Sequence, residues 1–278
     1  MKNEIETVKE LTGATDEQIK ANDEGHCSRA YIVNDGEFVV KFPRFDFVNY
    51  EKEAKVLNHL NTLRLPINIQ KVKHLAEDGR CIVLYGVKGT PLLEVNLTDK
   101  QRKVIAKQLA NAMKQIHGVK FDILGESLDD EILNYEKCFK KTKEFFKKHL
   151  SQKEFEELEQ LLVRLSKERR DLGEERVFCH GDIFEPNILI DSNGKAGLID
   201  FGNAGLYDVA ADFGIDDVML GNLVLDYYGA DEVLRKKVEL KLDMCVFTSP
   251  HFGIIKYGEE KTAKKWIPFT RKIISKYS

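Results

Sequence analysis

The sequence predicts an α+β protein with two lobes, a strand-rich N-terminal lobe and a helical C-terminal lobe. Short apolar runs separated by Gly-containing turns occupy most of the chain before residue 86. Capped segments of helical period follow them. Short strands return near residue 177, and helical patterns resume at about residue 210. We therefore predict one lobe over residues 1–87 and a second over residues 88–278.

The first lobe is predicted from strands joined by tight turns. We expect strands over residues 29–33, 37–42, 70–77 and 80–85, and a helix over residues 47–61. Asn34-Asp35-Gly36 and Asp78-Gly79 separate the paired strands, and Asp-Gly is typical of β-hairpin turns. The helix is indicated by apolar residues at helical spacing, including Leu57 and Leu60.

The second lobe begins with helices and contains one group of short strands. Thr98-x-x-Gln101 and Ser151-x-x-Glu154 are capping boxes that predict helices to His117 and to about Arg170. Short apolar runs at residues 177–179, 188–190 and 196–199 predict strands. A cleft between two such lobes is a common place for a ligand.

Composition restricts the class of protein. The chain of 278 residues has 43 Lys+Arg against 46 Asp+Glu, a net charge of −3, which argues against a nucleic-acid-binding protein. It contains no run of eighteen apolar residues, and its N-terminus lacks the features of a signal or transit peptide. The five cysteines are widely spaced without a C-x-x-C pair. We expect a cytoplasmic monomer with reduced thiols and no membrane or nucleic-acid partner.

Residues 178–213 contain the pattern that indicates chemistry. His180-Gly181-Asp182 follows a predicted strand, Asn187 lies five residues after Asp182, and a predicted hairpin leads to Ile199-Asp200-Phe201-Gly202. Carboxylate and amide oxygens are ligands that suit Mg²⁺. Phosphoryl transfer requires metal ions near the phosphates and a carboxylate that aligns the attacking hydroxyl. Asp, Asn and Gly are also common turn residues, but their order here satisfies several independent requirements of this chemistry.

The pattern also resembles known families. H-G-D-x-x-x-x-N followed by I-D-F-G is similar to the catalytic motifs of protein kinases. Its His-Gly-Asp form resembles the aminoglycoside phosphotransferase and choline-kinase-like superfamily. The strongest resemblance is to the 2″-aminoglycoside phosphotransferases, through V-V-K-F-P, V-K-G-T-P-L, I-D-F-G-N-A-G-L-Y-D and Y-G-E-E. The resemblance implies a protein-kinase-like fold, with nucleotide bound by the first lobe and catalysis and acceptor binding in the second.

The resemblance implies specific roles at the catalytic loop. Asp182 is expected to act as the catalytic base or to orient the hydroxyl, and Asn187 and Asp200 are expected to bind Mg²⁺. His180 and Asp212 are expected to support the loop. Asn203 is a departure, because many relatives of the 2″ type carry an acidic residue at this position.

The nucleotide, ATP or GTP, is expected to contact the first lobe. Lys41 resembles the strand lysine that binds the α- and β-phosphates, and Glu53 its helical partner. Ser28, in the phosphate-covering loop at residues 25–31, is expected to contact phosphate. Tyr85 and Val87 are expected to present backbone groups to the base.

The acceptor is predicted with less detail. Aminoglycosides are polycations, so acidic and aromatic residues are expected around them, and we favour Glu259, Glu260 and Trp266. Two other functions remain open. One is a kinase for another hydroxylated metabolite, such as choline, a sugar amine or homoserine, and the other is a nucleotide-binding regulator without turnover. The presence of Lys41 together with Asp182, Asn187 and Asp200 argues against the regulator.

Overall fold

The computed structural model describes residues 2–22, 27–45, 48–120, 128–216, 219–256, 258 and 260–278. From the N-terminus the elements are α1 (Lys2–Thr12), β1 (Ile19–Asn22), β2 (Ser28–Val33), β3 (Phe38–Pro43), α2 (Glu51–Leu60), β4 (Asn68–Ile69), β5 (Lys71–Leu75), β6 (Ile82–Tyr85), β7 (Thr90–Pro91) and α3 (Asp99–His117). They continue as α4 (Leu128–His149), α5 (Gln152–Asp171), β8 (Arg176–Cys179), β9 (Ile188–Ile190), β10 (Ala196–Leu198), β11 (Gly205–Asp208), α6 (Gly221–Tyr228), α7 (Glu232–His251), α8 (Glu260–Lys264) and α9 (Ile267–Tyr277). The predicted α+β class is confirmed.

The backbone forms two compact units. Unit 1 contains Met1–Lys120, Cys179–Ala204 and Asp212–Gly229, and unit 2 contains Phe121–Phe178, Gly205–Ala211 and Ala230–Ser278. Lys41, Glu53 and the H-G-D-x-x-x-x-N and D-F-G motifs are therefore all in unit 1. The division at residue 87 stays a prediction.

Unit 1 is built on an antiparallel five-stranded sheet with the order β1-β2-β3-β6-β5. Ala30 pairs with Lys41, and Ser28 with Pro43, in the β2–β3 register. Because side chains alternate between the two faces of a sheet, Ser28, Ala30 and Lys41 share one face. Tyr31 and its neighbours on the opposite face pack with Val8 of α1 in a buried cluster.

A second sheet in unit 1 carries the catalytic motifs, with the order β4-β10-β9-β7. β9 and β10 form an antiparallel hairpin, and the Ile199 N–H donates to the carbonyl of Asn187, 3.1 Å away. This bond joins the end of the H-G-D-x-x-x-x-N segment to the residue before Asp200. Two motifs thirteen residues apart are thereby held side by side.

Unit 2 is mainly helical. α4, α5, α7, α8 and α9 enclose a buried aromatic and aliphatic cluster that includes Phe139, Phe146 and Phe247. Arg169 and Lys237 are buried and pair with the two oxygens of Asp208, each at 3.0 Å. Among the described residues, no helix combines the length and the apolar character needed to cross a bilayer.

The predicted elements agree with the observed ones, with one shift. The predicted strand ends are displaced by at most two residues, and both capping boxes are present at Thr98 and Ser151. The first predicted helix begins at Glu51 rather than at residue 47. Tyr50 precedes it with a non-helical backbone, and its N–H donates to the carbonyl of Gly79 at 3.0 Å. This bond anchors the start of α2 to the β5–β6 turn.

Candidate active site

A buried ion pair links the five-stranded sheet to α2. Lys41 Nζ lies 2.7 Å from Glu53 Oε1, and both side chains are almost inaccessible to solvent. Burial alone would lower the pKa of Lys41, but the charges of Glu53 and Asp200 raise it above its ordinary value. Burial raises the pKa of Glu53, and the charge of Lys41 limits this rise. Lys41 is therefore a fixed cation, oriented by a carboxylate as predicted.

Asp200 joins this pair from the second sheet. Its Oδ1 lies 3.1 Å from Lys41 Nζ, and its N–H donates to Gln70 Oε1 at 3.2 Å. The charge of Lys41 holds the pKa of Asp200 below its ordinary value. Asp200 has a left-handed backbone (φ 66°), which is unfavourable for a residue with a Cβ and is typical of functional positions. Its side chain is 53% exposed, so the carboxylate remains accessible.

Asp182 and Asn187 are in direct contact. The amide nitrogen of Asn187 donates to the backbone oxygen of Asp182 at 3.0 Å and approaches its Oδ2 at 3.3 Å. Asn203 Nδ2 lies 3.5 Å from the same carboxylate oxygen. An acidic residue at position 203 could not donate this contact.

Asp212 holds the backbone before Asp182. Its two oxygens accept hydrogen bonds from the N–H groups of His180, at 2.9 Å, and Gly181, at 2.7 Å. His117 Nε2 on α3 lies 3.0 Å from the same carboxylate, and His117 Nδ1 lies 2.8 Å from the Tyr228 hydroxyl. Although burial alone would raise it, the contacts with His117 and Gly181 hold the pKa of Asp212 below its ordinary value. The structure thus places Asp212 where loop support was predicted.

His180 supports the loop from within. Its ring Nδ1 accepts from the N–H of Asp182 at 3.2 Å, and its Nε2 lies 3.1 Å from the carbonyl of Ile199. Because Nδ1 accepts, Nε2 is the nitrogen that donates. The imidazole thereby connects the loop that carries Asp182 to the residue before Asp200.

The donor set suits a hard divalent cation. Asn187 commits its amide nitrogen to Asp182, which leaves its amide oxygen for coordination. Asp200 offers a half-exposed carboxylate of low pKa. Mg²⁺ typically takes one or two carboxylates together with substrate phosphates and water. These residues fit the predicted Mg²⁺ site.

The other predicted nucleotide contacts lie at the edges of unit 1. Ser28 begins β2, and its hydroxyl accepts from the Tyr50 hydroxyl at 2.8 Å. Tyr85 ends β6, is 45% exposed, and its ring lies near that of Phe38. Val87 packs on Gly197 of β10, where a Cβ would lie only 2.4 Å from a Val87 methyl group. Gly25 and His26 of the predicted phosphate-covering loop lie outside the described residues.

The predicted acceptor residues belong to unit 2. Glu260 Oε1 accepts from Lys148 at 2.9 Å, lies 3.1 Å from His149 Nε2 and is 3.5 Å from Lys264 Nζ. The contacts with Lys148 and His149 lower the pKa of Glu260 to about 2. Trp266 precedes α9 and packs edge-on against Phe269. Glu259 lies outside the described residues.

Sequence reasoning missed three residues of this network. Gln70 positions the backbone of Asp200, His117 supports Asp212, and Tyr228 in turn holds His117. Each lies far along the chain from the residue it supports, so local spacing could not identify it. The feature that marks Gln70 as a supporting residue is its burial, at 2% exposure, which is unusual for a polar side chain. Burial cannot be read from the sequence.

The chain matches a family model over most of its length and a curated relative over about half of it. The model of the phosphotransferase enzyme family matches residues 18–215. An aminoglycoside 3′-phosphotransferase of Niallia circulans is 28% identical over 159 residues, which is 51% of this chain. The match spans 59% of that relative's length.

Solved structures match over almost the whole chain. A GDP and kanamycin complex of an APH(2″) enzyme has a TM-score of 0.81 at 20% identity, covering 99% of both chains. The gentamicin complex of APH(2″)-IIa has a TM-score of 0.76 at 18% identity, covering 98% of this chain and 95% of that one. A type I macrolide 2′-phosphotransferase has a TM-score of 0.71 at 19% identity, covering 97% of both chains. These matches confirm the predicted fold.

Proposed function

Since the chain belongs to the phosphotransferase enzyme family, we propose that it transfers the γ-phosphate of a nucleoside triphosphate to a hydroxyl group of an aminoglycoside. The observation that carries this proposal is the convergence within unit 1 of a buried Lys41–Glu53 pair, a half-exposed Asp200 and an Asp182–Asn187 contact. Phosphoryl transfer depends mainly on positioning and on electrostatic stabilisation, which such an arrangement supplies.

Each residue has a role in the proposed reaction. Asp182 orients the acceptor hydroxyl and accepts its proton as the new O–P bond forms and the bond to the departing diphosphate breaks. Lys41, held by Glu53, binds the phosphates. Asn187 and Asp200 would hold Mg²⁺, which when bound neutralises charge on the phosphates. His180 and Asp212 keep the backbone of the catalytic loop in place.

The relatives support the choice of acceptor and of donor. Similar structures include complexes with gentamicin, with streptomycin and ATP, with kanamycin and GDP, and with ADP. We therefore propose a polycationic aminoglycoside as acceptor and either ATP or GTP as donor. Glu259, Glu260 and Trp266 remain the proposed acceptor contacts. We also propose that the protein acts as a cytoplasmic monomer.

An acceptor panel tests this function. The purified protein would be incubated with Mg²⁺ and ATP or GTP, together with kanamycin, gentamicin, a macrolide or choline. Nucleoside diphosphate release would be followed, and the product identified by ³¹P NMR. We expect release that depends on kanamycin or gentamicin and that is lost in Asp182→Asn. Release only with the macrolide or with choline would contradict the aminoglycoside assignment, and release with none of them would contradict the kinase assignment.

A further inference from the structure

Tyr50 makes a hydrogen bond that neither the family pattern nor the proposed mechanism explains. Its side chain is 3% exposed, and its hydroxyl donates to Ser28 Oγ at 2.8 Å. Its backbone is held at both sides, because its N–H donates to Gly79 and its carbonyl accepts from the Ala54 N–H. The phenol is therefore presented to β2 from a fixed point at the start of α2.

The bond to Ser28 has a parallel one turn along the helix. Tyr50 is the residue immediately before α2, and Glu53 lies in the first turn of that helix. Glu53 binds Lys41 on β3, and Tyr50 binds Ser28 on β2. The strand register puts Ser28 and Lys41 on one face of the sheet. Tyr50 and the first turn of α2 therefore contact both strands of the β2–β3 hairpin, on the face that carries Lys41.

The direction of the bond determines what Ser28 can do. A phenol is a stronger acid than an alkanol, and burial raises the pKa of Tyr50 to about 12, so the phenol stays protonated and donates. Ser28 Oγ accepts, and its own proton has no acceptor among the described residues. Phosphate oxygens accept hydrogen bonds only, so they require a donor at this position.

We propose that Tyr50 is a positioning residue for the nucleotide, which holds the Ser28 hydroxyl as a hydrogen-bond donor to the triphosphate. This inference rests on the proposed function and adds a residue to it. Tyr50 does not touch the reacting atoms. It orients Ser28 as Glu53 orients Lys41.

Isothermal titration of MgATP and MgGTP into variants tests the inference. Ser28→Ala should weaken nucleotide binding about tenfold, as expected for the loss of a hydrogen bond to a charged group. Tyr50→Phe should weaken it about three- to tenfold, and the double variant should be no weaker than Ser28→Ala. The turnover number with saturating nucleotide should change much less than the nucleotide KM.

Tyr31→Phe is the matched control. Tyr31 is also buried, but its hydroxyl donates to Glu4 Oε2 at 2.9 Å on the opposite face of the sheet. It should lower thermal stability without changing nucleotide affinity. If Tyr50→Phe behaves in the same way, or if its effect adds fully to that of Ser28→Ala, Tyr50 is only a structural contact and the inference is wrong.

Two further results separate the possible failures. Ser28→Thr retains a hydroxyl and should bind nucleotide nearly as the wild type does. Wild-type nucleotide affinity in Ser28→Ala would overturn the inference, even if Tyr50→Phe does not fold. Wild-type protein that transfers phosphate while Tyr50→Phe has unchanged nucleotide affinity contradicts only this inference. Wild-type protein that neither binds nucleotide nor transfers phosphate contradicts the proposed function as well.

Discussion

Each unit contains a cluster of charged side chains, and the two clusters differ in how their charges are balanced. In unit 1, one buried lysine, Lys41, contacts two carboxylates, Glu53 and Asp200. In unit 2, one exposed carboxylate, Glu260, is surrounded by Lys148, His149 and Lys264. The first cluster has an excess of negative charge that a divalent cation can compensate. The second is already compensated by its own cations.

Burial and backbone geometry increase this difference. Glu53 is buried, so water cannot take the place of Lys41 as its partner. Asp200 has a left-handed backbone, and its N–H is held by Gln70. Exposed ion pairs such as those of Glu260 contribute little, because water and salt screen them. The two charge clusters should therefore respond very differently to substitution.

The largest expected effect is at Asp182. Asp182→Asn keeps the shape of the side chain but removes the proton acceptor, so turnover should fall by about 10²–10⁴. Nucleotide affinity should stay close to that of the wild type. Asp191→Asn is a suitable control, because the Asp191 side chain accepts backbone hydrogen bonds from Asn193 and Lys195 within the β9–β10 turn. Equal loss of turnover in both variants would contradict the role of Asp182.

A large loss of stability is expected at Lys41. Lys41→Met leaves the buried Glu53 carboxylate without its partner, which should reduce the free energy of unfolding by about 3–5 kcal/mol. The double variant Lys41→Met/Glu53→Gln should recover much of this stability but none of the activity. Urea denaturation measures the stability, and nucleoside diphosphate release measures the activity. A Lys41→Met variant as stable as the wild type would show that the pair is not buried.

A smaller effect of pH is expected at Asp212. Because the pKa of Asp212 is lowered in the folded protein, its contribution to stability is complete above about pH 4 and is lost as the pH falls further. At neutral pH the unfolding free energy of Asp212→Asn should therefore be lower than that of the wild type. As the pH falls from about 5 to about 3, it should decrease less steeply than that of the wild type. Asp35→Asn, at an exposed turn, should follow the wild-type curve. Parallel curves for Asp212→Asn and the wild type would contradict this prediction.

The smallest effect is expected at Glu260. An amine of the acceptor would have to displace Lys148 or His149, so Glu260→Gln should raise the acceptor KM by only about two- to fivefold. Glu144→Gln, which removes an exposed pair with Lys147 on α4, is the control and should leave the KM unchanged. An increase of about a hundredfold or more would mean that Glu260 is a principal acceptor contact and that the comparison between the units is wrong.

The parts of the site that could be predicted are those with several residue types at fixed spacing. H-G-D-x-x-x-x-N and I-D-F-G each follow a short strand. Local chain geometry brings Asp182 to Asn187, and the β9–β10 hairpin brings Asn187 to Ile199, the residue before Asp200. Lys41 and Glu53 were identified through the resemblance, and the structure joins them at 2.7 Å.

The parts that could not be predicted depend on packing between distant segments. α1 was not predicted from its highly charged sequence, and among its described side chains the structure fully buries only Val8. The contacts of Gln70 with Asp200, and of His117 with Asp212, join residues 130 and 95 positions apart. The compensation of Glu260 by Lys148 likewise depends on two helices that are 112 residues apart in sequence. Acidic composition alone does not reveal whether a carboxylate is already paired.

Magnesium-dependent nucleotide binding tests the central claim most directly. Asparagine is among the residues that best tolerate a left-handed backbone, so Asp200→Asn removes the charge while keeping the local conformation. Titrating Mg²⁺ with ATP or GTP into the wild type, Asp182→Asn and Asp200→Asn should show binding that is retained in Asp182→Asn and is lost or strongly weakened in Asp200→Asn. Magnesium-dependent binding by Asp200→Asn that equals that of the wild type would contradict a metal and phosphate site built from Lys41, Asn187 and Asp200.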